Sequence, residues 1–400
     1  MEAPGCHGDK RLSVEVVPDQ ESAGIEEIVR IGTRLQDKRA ENDASQDGKV
    51  LRGVHAKSHG CVRAEFTIRE DIAEDLRVGL FACPGKTHEA WIRFSNAAVL
   101  REDDLKAGKD GIRQNGSRGM AIKVMDVDGE MLSQDNGGHN QDFLLINTPM
   151  FAFANVRDYL RLEKILDRDP LGADPTAYFL PAVLASLGPE VDGEDSAITQ
   201  KRQFLQDMVA RDPLLSGLSA QDLKGTIASA KVAAAIAQKT VRNPMEVQYF
   251  GAAPFLFGPG RVMKFSVAPR EPVEQEPFDT ITSDIPAPDY LQDAVRNTMQ
   301  GDTILEYDFM VQTRNEGEDG LNIEDATTIW EGELAGYIPV ATISVHAPQT
   351  PHGAVEAENC ERLAFNPWHS LSAHRPLGGI NRLRKPVYFS SASHRGADGY

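Results

Sequence analysis

The segment Arg52-Gly53-Val54-His55-Ala56-Lys57 leads into the first part of the chain with β-strand texture, Cys61 to Ile68. This stretch and the short apolar stretches after it are each flanked by Gly, Asp, Asn or Pro, a pattern typical of short antiparallel strands. The later stretches in this first group are Ala90 to Phe94, Met120 to Met125 and Asp142 to Ile146. We therefore predict that an antiparallel sheet begins just after His55.

A helical block, from about residue 156 to residue 241, separates these strands from a second group. Apolar residues at helical spacing predict its helices at Asp158 to Ile165, Thr199 to Val209 and Gln221 to Gln238. The second group of strands is predicted at Glu246 to Phe250, Val262 to Val267, Leu305 to Gln312, Thr327 to Trp330 and Val340 to Val345. A helix at about 288–299 interrupts them, and a loop with a short helix is predicted for 366–400. This order favours an α+β fold with one antiparallel sheet or barrel over alternating βαβ units.

The first 45 residues are expected to form a separate N-terminal arm and helix. Residues 1–20 are polar, Ser22 to Arg39 has apolar residues at helical spacing, and Glu41 to Gly48 is typical of a linker. We therefore assign residues 46–400 to one main domain that includes the helical block.

Composition excludes several classes of partner and site. The formal net charge of −18 repels nucleic-acid phosphates and anionic membranes, so neither is expected as a partner. No apolar run reaches the roughly 18 residues that a membrane-spanning helix needs. The four cysteines form no CxxC pair, which argues against a disulfide framework or a thiolate metal site. We expect inert thiols and a reducing cytoplasm.

A few polar residues stand out as candidates for chemistry. His55 is a titratable base before a strand, and Asn147 lies at a strand end that Pro149 terminates. Arg384 and Tyr388 are four residues apart, so they share a face if both are helical. An arginine beside a tyrosine hydroxyl lowers its pKa, and the resulting phenolate suits ferric iron. If a helix began at Pro386, however, Arg384 would not lie one turn from Tyr388.

A series of motifs covers most of the chain, from about residue 50 to residue 395. They are Arg52 to Lys57, Arg93-Phe94-Ser95, Arg118 to Lys123, Asn147-Thr148-Pro149, Ile323 to Ala326 with Trp330, His374 to Arg382, and Arg384 with Tyr388. Taken in this order, the motifs resemble those of the haem catalases, and more narrowly those of the short catalase-related peroxidases. The resemblance implies an antiparallel β-barrel catalase core with surrounding helices and long wrapping loops, without a C-terminal flavodoxin-like domain.

The resemblance also implies a haem b cofactor (iron protoporphyrin IX) and a role for each matching residue. His55 matches the distal base, Asn147 the amide that orients peroxide, and Ser95 the hydroxyl that holds the histidine. Tyr388 matches the proximal iron ligand, and Arg384 the arginine that keeps it ionised. Arg52, Arg93 and Arg395 match the arginines that contact the haem propionates. Val54 matches the apolar residue that narrows access to the iron, and Phe153 or Tyr159 matches the aromatic residue that stacks on the haem.

The implied activity is that of a cytoplasmic haem peroxidase with some catalase activity, acting in the oxidative stress response. Its substrate would be hydrogen peroxide or an organic hydroperoxide, converted through a ferryl haem that a second peroxide or an organic electron donor then reduces. The resemblance is also compatible with a homo-oligomer.

Two functions other than that of a peroxidase remain open. The first is a haem isomerase or lyase of fatty-acid hydroperoxides, similar to allene oxide synthase. Threonine before the distal histidine would favour it, and Val54 favours peroxide, although the helical block would suit a lipid channel. The second is a non-catalytic haem-binding module. The joint presence of His55, Asn147 and Tyr388 argues against that module, because haem storage needs no distal acid–base pair.

Overall fold

The structure is a computed structural model of one 400-residue chain. It describes residues 12, 14–42, 50–97, 116–132, 138–168, 175–191, 194–274, 289–330 and 336–397, and the backbone alone of 106–107 and 113–114. The predicted arm up to residue 11 and the linker residues 43–48 lie outside the described residues.

The described residues form eight α-helices and eleven β-strands. The helices are α1 Glu21–Asn42, α2 Val156–Leu166, α3 Leu180–Ser186, α4 Ser196–Arg211, α5 Ala220–Gln238, α6 Tyr290–Met299, α7 Ala354–Arg362 and α8 Gly378–His394. The strands are β1 Ser58–Ile68, β2 Thr87–Asn96, β3 Lys106–Ala107, β4 Arg113–Gln114, β5 Arg118–Val124, β6 Gln141–Ile146, β7 Tyr249–Phe250, β8 Phe255–Leu256, β9 Arg261–Pro269, β10 Ile304–Asn315 and β11 Ile338–His346.

Eight of the strands close into an antiparallel barrel. They follow one another in the order β10, β11, β1, β2, β5, β6, β7 and β9, and β9 pairs back onto β10. Strand β8 adds to β9, while β3 and β4 pair with each other alone. Closure pairs the strand edges that would otherwise be open. The predicted α+β class with an antiparallel barrel is confirmed.

The interior of the barrel is a packed apolar core. Phe143 lies at its centre, with its ring centroid 4.6 Å from that of Phe309 and 5.0 Å from that of Phe265. All three side chains are fully buried. An eight-stranded barrel has an interior just wide enough for side chains to fill. A cofactor-sized ligand must therefore bind outside the barrel, against its wall or at the strand ends.

The N-terminal helix α1 packs against α2 and α8. The contact is apolar and includes Ile28 of α1, Val156 of α2, and Ile380 and Leu383 of α8. Helix α8 is longer than the short helix that we predicted, because it continues through Pro386. No helix in the described ranges is both long and apolar enough to cross a membrane.

One predicted strand, Thr327 to Trp330, is wrong, because this segment is a loop. Lys264 of β9 contacts this loop with its side chain. Its Nζ atom donates to the carbonyl oxygen of Thr328 at 2.9 Å and lies over the Trp330 ring. Trp330 is thus buried without a hydrogen-bond ladder, whereas Ile329 remains exposed. Helices α3 and α7 were not predicted.

The expectation that no disulfide is present is also wrong. Cys61 in β1 and Cys360 in α7 form one, with their Cα atoms 6.1 Å apart. They are separated by 299 residues in sequence, and only the folded arrangement of α7 against β1 brings them together. Cys83 is a free, exposed thiol, as expected.

Candidate active site

The barrel brings several of the predicted site residues to one edge, formed by the ends of β1, β2, β5 and β6. Successive antiparallel strands reverse direction, so the start of β1, the end of β2, the start of β5 and the end of β6 coincide. The paired residues at this edge are Ser58 with Ser95, Ser95 with Gly119, and Gly119 with Ile146. His55 lies just before β1 and Asn147 just after β6, so both belong to this strand edge.

The imidazole of His55 contacts Ser95 and Gly119 along its Nδ1 edge. Its Nδ1 atom is 3.0 Å from the hydroxyl oxygen of Ser95. The same Nδ1–Cε1 edge of the ring lies against Gly119, where a Cβ atom would overlap the imidazole. The backbone of His55 has a φ of 58°, and its N–H donates to the carbonyl oxygen of Ala97 at 3.2 Å. These contacts orient the ring so that Nε2 points away from Ser95.

The surroundings of His55 keep its ring neutral. Burial, followed by the positive charges of Arg93, Arg384 and Arg52, lowers the pKa of His55 from its ordinary 6.5 to about 3. Each of these effects disfavours the imidazolium ion. A neutral imidazole is the form that can accept a proton from a substrate.

Asn147 presents a buried hydrogen-bond donor with no partner. Its Oδ1 accepts from the backbone N–H of Arg118 at 2.9 Å and from the Ser117 hydroxyl at 3.4 Å, which fixes the amide plane. Its carbonyl oxygen accepts from the Nζ atom of Lys239 at 2.8 Å. The Nδ2 atom has no hydrogen-bond partner among the described residues. Because an unpaired buried donor is costly, this group indicates a ligand that accepts its hydrogen bond.

Helix α8 supplies the predicted proximal residues. The guanidinium carbon of Arg384 lies 5.3 Å from the ring centroid of Tyr388, and its Nη1 donates to Oδ1 of Asn381 at 3.1 Å. The helix begins at Gly378, so Pro386 lies inside it and removes only one backbone donor. Arg384 and Tyr388 therefore share a helix face. The contact of Arg384 is with the face of the tyrosine ring.

The three arginines expected at the haem propionates meet at the C-terminal end of α7. Arg52 and Arg395 donate to backbone carbonyls of its last turn and of the following Leu363. Arg93 Nη2 donates to Oε1 of Glu361 at 3.3 Å, and the Nε atom of Arg52 lies 3.6 Å from Oε2. Sequence reasoning missed Glu361, because α7 itself was not predicted.

The expected haem-stacking aromatics lie in a cluster formed by the helical block. The Phe153 ring packs edge-on against Tyr159 and Tyr178, with centroid distances of 5.4 and 5.3 Å. Burial raises the pKa of Tyr159, and the charges of Glu163 and Tyr388 raise it further, so Tyr159 lies near Tyr388. Val54, expected to narrow access to the iron, is 39% exposed beside His55.

These residues fit a haem. Asn147 offers a free donor on the barrel side, and Tyr388 offers a phenol oxygen on the helix side. The Nε atoms of Arg52 and Arg93 are buried and have no hydrogen-bond partner within the described ranges. Buried guanidinium donors of this kind suit carboxylates such as haem propionates.

Comparison with known proteins confirms the resemblance to the haem catalase superfamily. No family model matches the chain. It is 30% identical to a catalase of Staphylococcus saprophyticus over 132 residues, 32% of this chain and 23% of that protein. It is 29% identical to a catalase-like protein of Staphylococcus aureus over 119 residues, 30% of this chain and 22% of that protein. The matches thus span less than a quarter of either relative.

Solved structures show the same fold over more of the chain. A bacterial catalase superposes with a TM-score of 0.57 at 17% identity, covering 89% of this chain and 59% of that chain. Catalase A from Saccharomyces cerevisiae superposes with a TM-score of 0.56 at 16% identity, covering 89% and 62%. The fold of the chain is that of the catalase core.

Proposed function

We propose that this chain is a haem-dependent enzyme that reduces hydrogen peroxide or organic hydroperoxides. The fold and the relatives named catalase support an enzyme that acts on peroxide. The observation that supports this function most directly is the unpaired Nδ2 donor of Asn147 on the same strand edge as the neutral imidazole of His55. A peroxide needs both a proton acceptor and a hydrogen-bond donor, and this edge provides the two.

Haem b, when bound, supplies the iron that takes up the peroxide and exchanges electrons with it. Tyr388 would ligate the iron through its phenol oxygen. The Arg384 guanidinium lies over the Tyr388 ring and places a positive charge beside this ligand. Arg52, Arg93 and Arg395 would hold the propionates.

His55 and Asn147 perform the proton chemistry. The Nε2 atom of His55 would accept a proton from one peroxide oxygen and return it to the other (outer) oxygen. The O–O bond would then break with two electrons supplied by the bound haem, and the outer oxygen would leave as water, or as an alcohol from an organic hydroperoxide. The Nδ2 group of Asn147 donates to the outer oxygen and stabilises the charge that develops there. Ser95 holds the imidazole by its Nδ1 atom, so that Nε2 stays on the substrate side.

The reductant that completes the cycle is a second peroxide in a catalase and an organic donor in a peroxidase. We propose the peroxidase of the short catalase-related type, with some catalase activity, acting in the cytoplasm against oxidative stress. The resemblance of the segment His374 to Arg382 to the short forms supports this choice.

The test is reconstitution with ferric haem b followed by three assays. We expect a Soret band, dye oxidation by hydrogen peroxide and some oxygen release. The His55→Ala variant should keep the Soret band and lose both activities. Absence of a Soret band from the wild type, or a fully active His55→Ala variant, would contradict the proposal. Rapid loss of a lipid hydroperoxide without any electron donor would show the isomerase or lyase instead.

A further inference from the structure

Glu361 is a protein carboxylate in contact with the arginines assigned to the haem propionates. Its Oε1 accepts from Arg93 Nη2 at 3.3 Å, and its Oε2 lies 3.6 Å from the Nε atom of Arg52. Arg395 donates to its backbone carbonyl oxygen. The carboxylate of a glutamate side chain is the same chemical group as a propionate. Glu361 and a haem propionate would therefore make the same kind of contact with these guanidinium groups.

The contacts of Glu361 do not satisfy the two guanidinium groups. Neither Arg52 Nε nor Arg93 Nε has a hydrogen-bond partner among the residues that the structure describes, although both atoms are buried. A carboxylate in an optimal pair with arginine makes two short, parallel hydrogen bonds. The 3.3 and 3.6 Å distances are longer than such bonds, so donors remain for a carboxylate that binds more closely.

Exposure differs between the two sides of this contact. The side chain of Glu361 is 47% exposed, whereas those of Arg52 and Arg93 are 12% and 3% exposed. The arginines are also tied down: Arg93 donates to the carbonyl oxygen of His55 at 2.9 Å, and Arg52 to that of Cys360 at 3.1 Å. The carboxylate can therefore turn into solvent while both guanidinium groups stay in place.

The backbone of Glu361 cannot move away with its side chain. The preceding residue, Cys360, is joined by a disulfide to Cys61 in β1. In the β1–β2 register Cys61 lies directly opposite Arg93. The disulfide thus holds the last turn of α7 beside Arg93, so the side chain of Glu361 can leave the arginines only by rotating about its own bonds.

We propose that Glu361 competes with the haem propionates for Arg52 and Arg93, and that its side chain turns out to solvent when haem binds. This inference rests on the proposed haem site. In the absence of haem, Glu361 neutralises part of the charge of the arginines. On binding, the propionates replace it, and haem affinity is reduced by the energy of the contact that is lost.

The competition makes a directional prediction for Glu361→Gln, which keeps the size of the side chain and removes its charge. Ferric haem b should bind about threefold to tenfold more tightly, as expected for loss of one partly exposed charge contact. If Glu361 served only to position the arginines, the same substitution would weaken binding. The two roles therefore predict opposite signs.

Titration of the apoprotein with ferric haem b, followed at the Soret band, tests this. Glu358→Gln, an exposed carboxylate of the same helix, is the matched control and should bind like the wild type. Glu361→Ala, which also removes the charge, should tighten binding as Glu361→Gln does. Haem dimethyl ester, which lacks the propionate charges, should show no gain in affinity in either Glu361 variant.

The outcomes separate the two proposals. A wild type that binds no haem contradicts the proposed function. A wild type that binds haem, with neither Glu361 variant tighter, overturns the competition while leaving the function standing. An equal gain for haem and its dimethyl ester also overturns it, because the gain would not depend on the propionates.

Discussion

The imidazole Nδ1 atom of His55 lies 3.0 Å from the hydroxyl oxygen of Ser95, which joins the segment before β1 to the end of β2. The hydrogen bond fixes which ring nitrogen points into the site. Because a neutral imidazole has one donor and one acceptor nitrogen, its orientation decides whether Nε2 can take a proton from peroxide.

Ser95→Ala should lower the rate of peroxide consumption by about fivefold, since one hydrogen bond of about 1 kcal/mol no longer orients the ring. Haem content, measured at the Soret band, should not change, because Ser95 is assigned no contact with the cofactor. Ser95→Thr keeps the hydroxyl group and should retain more activity than the alanine variant. A Ser95→Ala enzyme with the wild-type rate would show that this hydrogen bond does not orient His55.

Gly119→Ala should reduce activity more than Ser95→Ala, by about a hundredfold, because the new Cβ would overlap the imidazole of His55 and displace it. The overpacking should also lower the free energy of unfolding by about 1–3 kcal/mol. Gly32→Ala in α1 is the control: a Cβ there meets no atom within 4 Å. It should be neutral or stabilising by up to about 1 kcal/mol. Unchanged peroxide turnover in Gly119→Ala would contradict the assigned packing.

The pKa of His55, lowered to about 3, predicts the acid limb of the rate profile. Peroxide consumption should stay flat as the pH falls through 6.5 and decline only towards about pH 3–4, because protonation of the ring abolishes its role as base. Initial rates between pH 4 and 8, measured where the protein remains folded, check this. A decline of the wild-type rate centred near pH 6.5 would contradict the lowered pKa.

The same shift has a consequence for stability. In the unfolded chain His55 binds a proton below its ordinary pKa of 6.5, whereas in the folded protein it does not until about pH 3. Its contribution to the free energy of unfolding is therefore constant above pH 6.5 and decreases as the pH falls from 6.5 towards 3. The free energy of unfolding, measured in urea at pH 5 and at pH 7, should differ less between these two pH values in His55→Gln than in the wild type. An equal difference would argue against the lowered pKa.

Cys360→Ser should lower the free energy of unfolding by about 2–4 kcal/mol through loss of the disulfide to Cys61. Cys61→Ser should have the same effect, and the double variant should be no less stable than either single variant. Cys83→Ser, which alters an exposed free thiol, is the control and should change stability by less than about 0.5 kcal/mol. Denaturant unfolding under oxidising conditions measures all four variants. Additive losses in the double variant would contradict a shared bond.

The secondary structure was predictable where local spacing and tertiary packing agree. Strands β1, β2, β5 and β6 have apolar stretches bounded by turn residues, so the strand ends that hold His55 and Asn147 followed from local sequence. Helix α8 was predicted too short, since Pro386 suggests a break, yet a proline removes only one hydrogen bond from a helix that packs against α1. Helix α7 has too few apolar residues for a visible stripe, and most of its residues are charged or small.

The long-range contacts of the site were harder to predict. The resemblance assigned a ligand to Arg52, Arg93 and Arg395 but gave no protein partner for them. Glu361 lies 268 residues from Arg93, and their contact depends on where α7 packs once the barrel has closed. The disulfide between Cys61 and Cys360 likewise depends on where α7 packs against β1. Local patterns contain no information about such pairs, because the barrel order and register decide which residues meet.

We propose that Tyr388 binds the haem iron, and the absorption spectrum of the haem-reconstituted Tyr388→Phe variant tests this assignment most directly. This substitution removes one oxygen atom and keeps the ring under Arg384. We predict that the wild type gives a stable phenolate-type ferric spectrum and that Tyr388→Phe loses this spectrum and most of its haem on gel filtration. A Tyr388→Phe variant with the wild-type spectrum and full haem content would contradict the account.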